Sequence, residues 1–331
     1  MSLDSINEEL ERKRGKPGGY PEDMRYFVTE KTDGTLELCV KDAGKDDDVW
    51  KLADPWGIAA FADVQKKLKN APLGLHFAML TPSDKEIPRH EALKRRVSYL
   101  AEANKARLPI VLTVGGQKES LYSISELANR TVKHTGEVVQ TEFEQRGDGD
   151  IPGRPEKDWQ TYLFGKGLHE GEEAKPRTNE RLVLLGDDFA DIGKKRFGVE
   201  REWPTGVFRE EIKDTSRILP TEYIDLVTIN KSSQIAIIEL KLNKNPLESI
   251  AQLLNYALFF HSYKKQLASL LDERLLLDKH PQHSSAGFSI KAYLVSNVFH
   301  KRLADVWHYY IKGPIAMQQV RMGYYLPDNR M

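Results

Sequence analysis

What this chain of 331 residues lacks narrows it first. It has one cysteine, Cys39, so no intramolecular disulfide framework is possible and a reducing compartment fits. It has no excess of either charge: 49 Lys and Arg stand against 49 Asp and Glu. It is therefore not a polycation, and any affinity for nucleic acid must come from local basic patches. No apolar run approaches the roughly 18 residues of a membrane span, and the start MSLDSINEELERKRG is polar and mixed in charge, unlike a signal peptide. A soluble cytoplasmic protein with no membrane partner is the expectation. Neither GxGxxG nor GxxxxGK[ST] is present, so Gly115-Gly116 reads as a strand-ending turn and not as a phosphate loop.

What is present points to an α/β protein of two domains, since the length allows two cores. Residues 1–24 read as a flexible arm carrying at most one short helix, and 25–145 as a mixed α/β domain of helices and strands without a repeat. RGDGDIPGRP at 146–155 has linker composition, and 156–331 form the second domain. In the first domain, Lys94, Arg95 and Arg96 read as a solvated helix face. His280 and His283 lie in a polar loop with no further ligands to complete a zinc site.

The second domain concentrates its chemistry between Ile224 and Tyr256. Two apolar segments, 223–229 and 235–242, flank the polar NKSSQ, which predicts a strand, a five-residue loop and a strand. Side chains alternate along the second strand, so Glu239 and Lys241 share a face. Antiparallel pairing around the odd-length loop, with Ile229 facing Ile235, sets Asp225 opposite Glu239. Like charges there repel unless something holds them. A divalent cation such as Mg²⁺, which takes one or two carboxylates and keeps waters, would do so. Then NKNPLESIAQLLNY predicts a helix with Asn245 as N-cap, Pro246 at the first position and Glu248 returning a capping bond. Gln252 and Tyr256 lie one turn apart on one face.

Asp225, Glu239-Leu240-Lys241 and Gln252-x-x-x-Tyr256 together resemble the PD-(D/E)xK nuclease superfamily, in the QxxxY branch that includes RecB-type nuclease domains. The likeness covers residues 155–326, about half of the chain, and departs in having Ile224 where that family often has proline. It implies a restriction-endonuclease-like domain with a central mixed sheet flanked by helices. It also implies a catalytic set of Asp225, Glu239, Lys241 and Gln252, with Mg²⁺ or Mn²⁺ held by Asp225, Glu239 and the Leu240 carbonyl. The family adds a carboxylate from the preceding helix, here Glu156 in PEKDWQTYLF or its rival Glu180. Lys241, an ammonium whose pKa can fall on burial, would orient or deprotonate the attacking water. Tyr256, Lys244, Lys264 and Lys265 would then serve substrate binding. The order of a variable N-terminal domain, an EKDWQTYL helix and the nuclease core resembles the Shedu type of anti-phage nuclease, which implies a homo-oligomer that nicks DNA. A nuclease acting on RNA and a non-catalytic binding module on the same fold are the competing readings.

Overall fold

The computed structural model describes residues 2–44, 49–69, 71–128, 136–142, 155–164, 179–189, 198–243, 245–275 and 287–323. It is mixed α/β, with two five-stranded sheets and one of three strands among the described residues. No helix among them is long and apolar enough to cross a membrane. The chain divides into two compact units. Residues 1–129, 250–255 and 301–314 make the first, and residues 130–249, 256–300 and 315–331 the second.

In the first unit, the arm read from the sequence is ordered from Ser2, and the short helix expected in it forms. Helix α1, Leu3–Lys13, is capped by Ser2 and buries Ile6 and Leu10. Its Asn7 side chain bonds both the N–H and the carbonyl of Val28. An apolar pair four residues apart was the signal for this helix, and it outweighs the charged composition around it. Strands β1 (Met24–Glu30) and β2 (Leu36–Asp42) form a hairpin, with Gly34 at φ 78° in the turn. Strands β3 (Leu73–Met79) and β4 (Ile110–Val114) add in parallel through helices α2 (Val49–Lys67) and α3 (Ile87–Ala103), and β5 (Gln117–Lys118) closes the edge. A short helix, α4 (Ile124–Ala128), follows.

The charge run on α3 is also not a solvated face. Arg95 and Arg96 are 2% and 1% exposed. Arg96 forms a buried ion pair with Asp54 at 2.8 Å and donates to the Trp50 carbonyl, and Tyr310 donates to the same carboxylate at 2.6 Å. A composition rule for charge runs cannot see that Asp54, 42 residues earlier, supplies the partner that makes burial tolerable.

The second unit is built around a five-stranded sheet. Its strands are β7 (Glu200–Pro204), β10 (Tyr223–Ile229), β11 (Ile235–Lys241), β12 (Ile290–Ser296) and β13 (Ala316–Arg321). In the order β13-β12-β11-β10-β7, the pairings β7–β10 and β10–β11 are antiparallel and β11–β12 and β12–β13 are parallel. A second sheet orders β6 (Glu137–Val139), β8 (Val207–Arg209) and β9 (Arg217–Leu219), all antiparallel. Helix α5 (Pro155–Phe164) opens where Pro155 fits a first helical position. Helix α6 runs from Ser249 to Tyr263 and is followed by α7 (Ala268–Arg274). The last helix, α8 (Leu303–Tyr310), lies within the first unit.

The start of α6 differs from the sequence expectation. The helix begins at Ser249, with Glu248 at the cap position and no side-chain capping bond. Ser249 N–H donates to the Pro246 carbonyl, so residues 246–249 form a turn ahead of the helix. Asn245 is buried with both side-chain polar atoms unpartnered, as are Glu248 Oε2 and Ser249 Oγ. Buried polar atoms of this kind are satisfied by ordered water or by a bound polar group.

Candidate metal centre

The hairpin register follows from the five-residue loop. Asn230 Oδ1 accepts from the N–H groups of Ser232 and Gln234, both at 3.0 Å, and Ser233 takes φ 58°. Ile229 therefore faces Ile235, and the ladder runs to Leu226 opposite Ile238. One step further, Asp225 and Glu239 meet at the level where backbone pairing ends. There Asp225 Oδ2 accepts from the Leu240 N–H at 2.7 Å, in place of a backbone carbonyl. In an antiparallel strand a residue's N–H and C=O point the same way. The Leu240 carbonyl therefore turns toward the same gap as Asp225.

Glu239 is 1% exposed, Asp225 is half-buried, and Lys241 reaches back to pair with Glu239 Oε1. Glu239 Oε2 is buried with no hydrogen-bond partner. Ionising a carboxyl in that state is costly, more so with a second carboxylate beside it. Burial raises the Asp225 pKa to about 6, with the Glu156 charge adding to the rise and Lys241 opposing it. Burial and the Asp225 charge push Glu239 well above the carboxylate range. For Lys241, burial works against the charge, yet Glu239, Asp225 and Glu156 outweigh it and hold the ammonium above its ordinary range. The expected fall of the Lys241 pKa on burial is thus reversed. The balance of charge around it, which only the fold assembles, decides the direction.

Surrounding groups fix this pair. Gln160 on α5 donates to the Asp225 carbonyl at 2.9 Å, and Glu156, one turn earlier, accepts from the Leu242 N–H at 2.9 Å. Tyr256 OH donates to the Tyr223 carbonyl at 3.1 Å. At the end of β11, Ser296 Oγ donates to the Lys241 carbonyl at 2.5 Å. Asn243, at φ 64°, gives its N–H to Asn297 Oδ1 at 2.9 Å and takes back a bond from Asn297 Nδ2 at 3.2 Å. Ser296 and Asn297 escaped the sequence reading because the parallel pairing of β12 with β11, which brings them beside Lys241, joins segments 55 residues apart.

The fold gathers Asp225, Glu239, Leu240, Lys241 and Glu156 at one end of the sheet. It does not gather all the other candidates. Tyr256 is 1% exposed and holds the strand that carries Asp225, so the expected contact with substrate is replaced by support of the backbone. Gln252 is half-buried on α6, one turn before it. Lys264 donates to the Phe288 carbonyl, ahead of β12, whereas Lys241 pairs with Ser296 at the strand's other end, roughly 20 Å along. Lys265 next to it is exposed. A phosphate track through Lys264 is corrected accordingly: the sequence put the two lysines within the helix that follows the hairpin, whereas the helix ends at Tyr263, and it could not tell toward which end of the sheet they fall. Lys244, His280 and His283 lie outside the described residues, and so does the side chain of Glu180.

Among the described residues no three His, Cys, Asp or Glu side chains form a metal-binding group. The set found is two carboxylates and a carbonyl, with one carboxylate oxygen unpartnered, and hard oxygen donors of that kind suit Mg²⁺ or Mn²⁺. No family model, curated protein or solved structure matches the chain.

Proposed function

We propose that the second unit is a metal-dependent nuclease that hydrolyses DNA phosphodiesters. The observation that carries this reading is Glu239: a fully buried carboxylate with Oε2 unpartnered, set against Asp225 and Lys241 at the frayed end of a hairpin. The motif resemblance described above supports the same reading.

Asp225, Glu239 Oε2 and the Leu240 carbonyl would hold the cation, and Glu156, with one oxygen committed to Leu242, has its second for a bound water. A bound divalent ion lowers the pKa of a water and offsets charge on the phosphoryl oxygens. Lys241, firmly cationic, binds a non-bridging oxygen of the scissile phosphate and stabilises the extra charge as the attacking oxygen adds. It also orients the attacking water. Gln160 and Tyr256 keep β10 in place so that Asp225 stays in line. Homo-oligomeric assembly and a role in antiviral defence belong to the same proposal and stand on the resemblance alone.

The test is direct. Purified protein is incubated with supercoiled plasmid, linear DNA and RNA in Mg²⁺, Mn²⁺ or EDTA. Metal-dependent nicking of DNA is expected, lost in both Asp225→Ala and Lys241→Ala. Cleavage that survives both substitutions places the activity elsewhere. Retention of DNA in a gel shift with no cleavage under any metal leaves a binding module, and cleavage of RNA alone changes the substrate.

A further inference from the structure

On the same face of β10 as Asp225, two residues and about 7 Å along the strand, stands Tyr223. Tyr223 lines a cavity of about 480 Å³ within the second unit, together with Gln140, Phe208, Lys213, Arg217 and Thr221. That volume lies in the range of small-molecule sites, and the lining is mixed in an informative way. Gln140 is 9% exposed, yet its amide is loosely held: Oε1 accepts from Thr221 and Nε2 donates to the Glu142 carbonyl, both at 3.4 Å. Bonds of that length are weak and easily exchanged. The Arg217 guanidinium lies 5.5 Å over the Phe208 ring, tethered to Asp214 at 2.6 Å, while its Nε is buried without a partner. Lys213 stands at the rim, 62% exposed.

A half-exposed tyrosine, a guanidinium plane, an exchangeable glutamine amide and a rim cation make up the chemistry that receives one unpaired nucleotide. Aromatic rings and arginine planes stack on base faces, and a glutamine amide reads a base edge. We propose that this cavity holds the base of a nucleotide next to the scissile phosphate, so that the substrate is single-stranded nucleic acid or a strand with an unpaired base. This rests on the nuclease reading of the adjoining carboxylates. A paired duplex can fill the cavity only by extruding a base, at a cost of a few kcal/mol.

The test uses the full chain with Ca²⁺ in place of Mg²⁺ and fluorescence anisotropy of a labelled 12-nucleotide single strand, in DNA and RNA forms, and of the same sequence as a blunt duplex. The single strand binds at least about ten-fold more tightly than the duplex. Gln140→Leu and Arg217→Met each weaken it about ten-fold or more, in line with base-stacking contributions. Lys213→Glu, at an exposed position that cannot unfold the protein, weakens it in a salt-dependent manner. Equal affinity for duplex and single strand, or variants that keep their thermal midpoint and bind as the wild type does, overturns the proposal. The two readings fail separately. Variant-sensitive binding with no cleavage in Mg²⁺ leaves the cavity and removes the nuclease; cleavage at wild-type rates by all three variants leaves the nuclease and removes the cavity.

Discussion

At the scale of the residue, the informative quantity is the environment of each charge. Asp225 holds its proton up to about pH 6, against a model-peptide value near about 4, because burial disfavours the carboxylate. The native state thus binds a proton there more tightly than the unfolded chain does. Stability therefore decreases as pH rises through the window from about 4 to 6, and the penalty is complete above it. In EDTA, we expect the gain in thermal midpoint of Asp225→Asn over wild type to be larger at pH 7 than at pH 4.5. A gain that grows as pH falls would contradict the burial argument. Glu239 shifts in the same direction, and Lys241 is the group that keeps the pair from costing more. The carboxylates and the lysine were legible as letters in the sequence. Their protonation was not, since burial and charge act on Lys241 in opposite directions and only positions in space decide which wins.

At the scale of the element, two connections hold the site. Helix α5 presents Glu156 and Gln160 one turn apart, so that one reaches the chain after β11 and the other reaches β10. Replacing Gln160 by Met leaves the Asp225 carbonyl without that donor. Cleavage is expected to fall by about ten-fold or more, with the circular dichroism spectrum unchanged, because a donor to a partly buried carbonyl is worth about 1–3 kcal/mol. The turn after β11 depends on Asn243 in the left-handed region. Asn243→Gly loses only the bond from Asn297, about 1 kcal/mol, whereas Asn243→Val loses that bond and adds about 1–3 kcal/mol of backbone strain in urea melts. Equal effects of the two would show that backbone strain is not the cause. The sequence announced the hairpin and helix α5 through apolar runs and Pro155. It misplaced the start of α6, because Asn245-Pro246 is an equally good signature for a turn, and the turn is what forms.

At the scale of the whole molecule, both units bury apolar sheets, and the first also buries a charge pair. The second has an apolar sheet in which β11 is buried through six of its seven residues. The first carries the buried Asp54–Arg96 pair with Tyr310 on the same carboxylate. Asp54→Ala strands a guanidinium that is 1% exposed, and we expect a loss of about 3–5 kcal/mol in urea denaturation. The double change Asp54→Leu with Arg96→Met should recover much of it, because no uncompensated charge remains. A double variant as unstable as Asp54→Ala would show that the pair contributes through its geometry.

The sequence by itself determined the α/β class, the hairpin, the parity of its loop and therefore which side chains share a face, because these follow from local periodicity and loop length. It could not determine that Arg96 finds Asp54, or that Ser296 and Asn297 brace Lys241. Nor could it place Lys264 at the far end of the sheet, or set a cavity beside Asp225. Those depend on contacts between residues tens to hundreds of positions apart, formed only once apolar surface is buried, and local pattern carries no information about which distant partner a charged or polar group will meet.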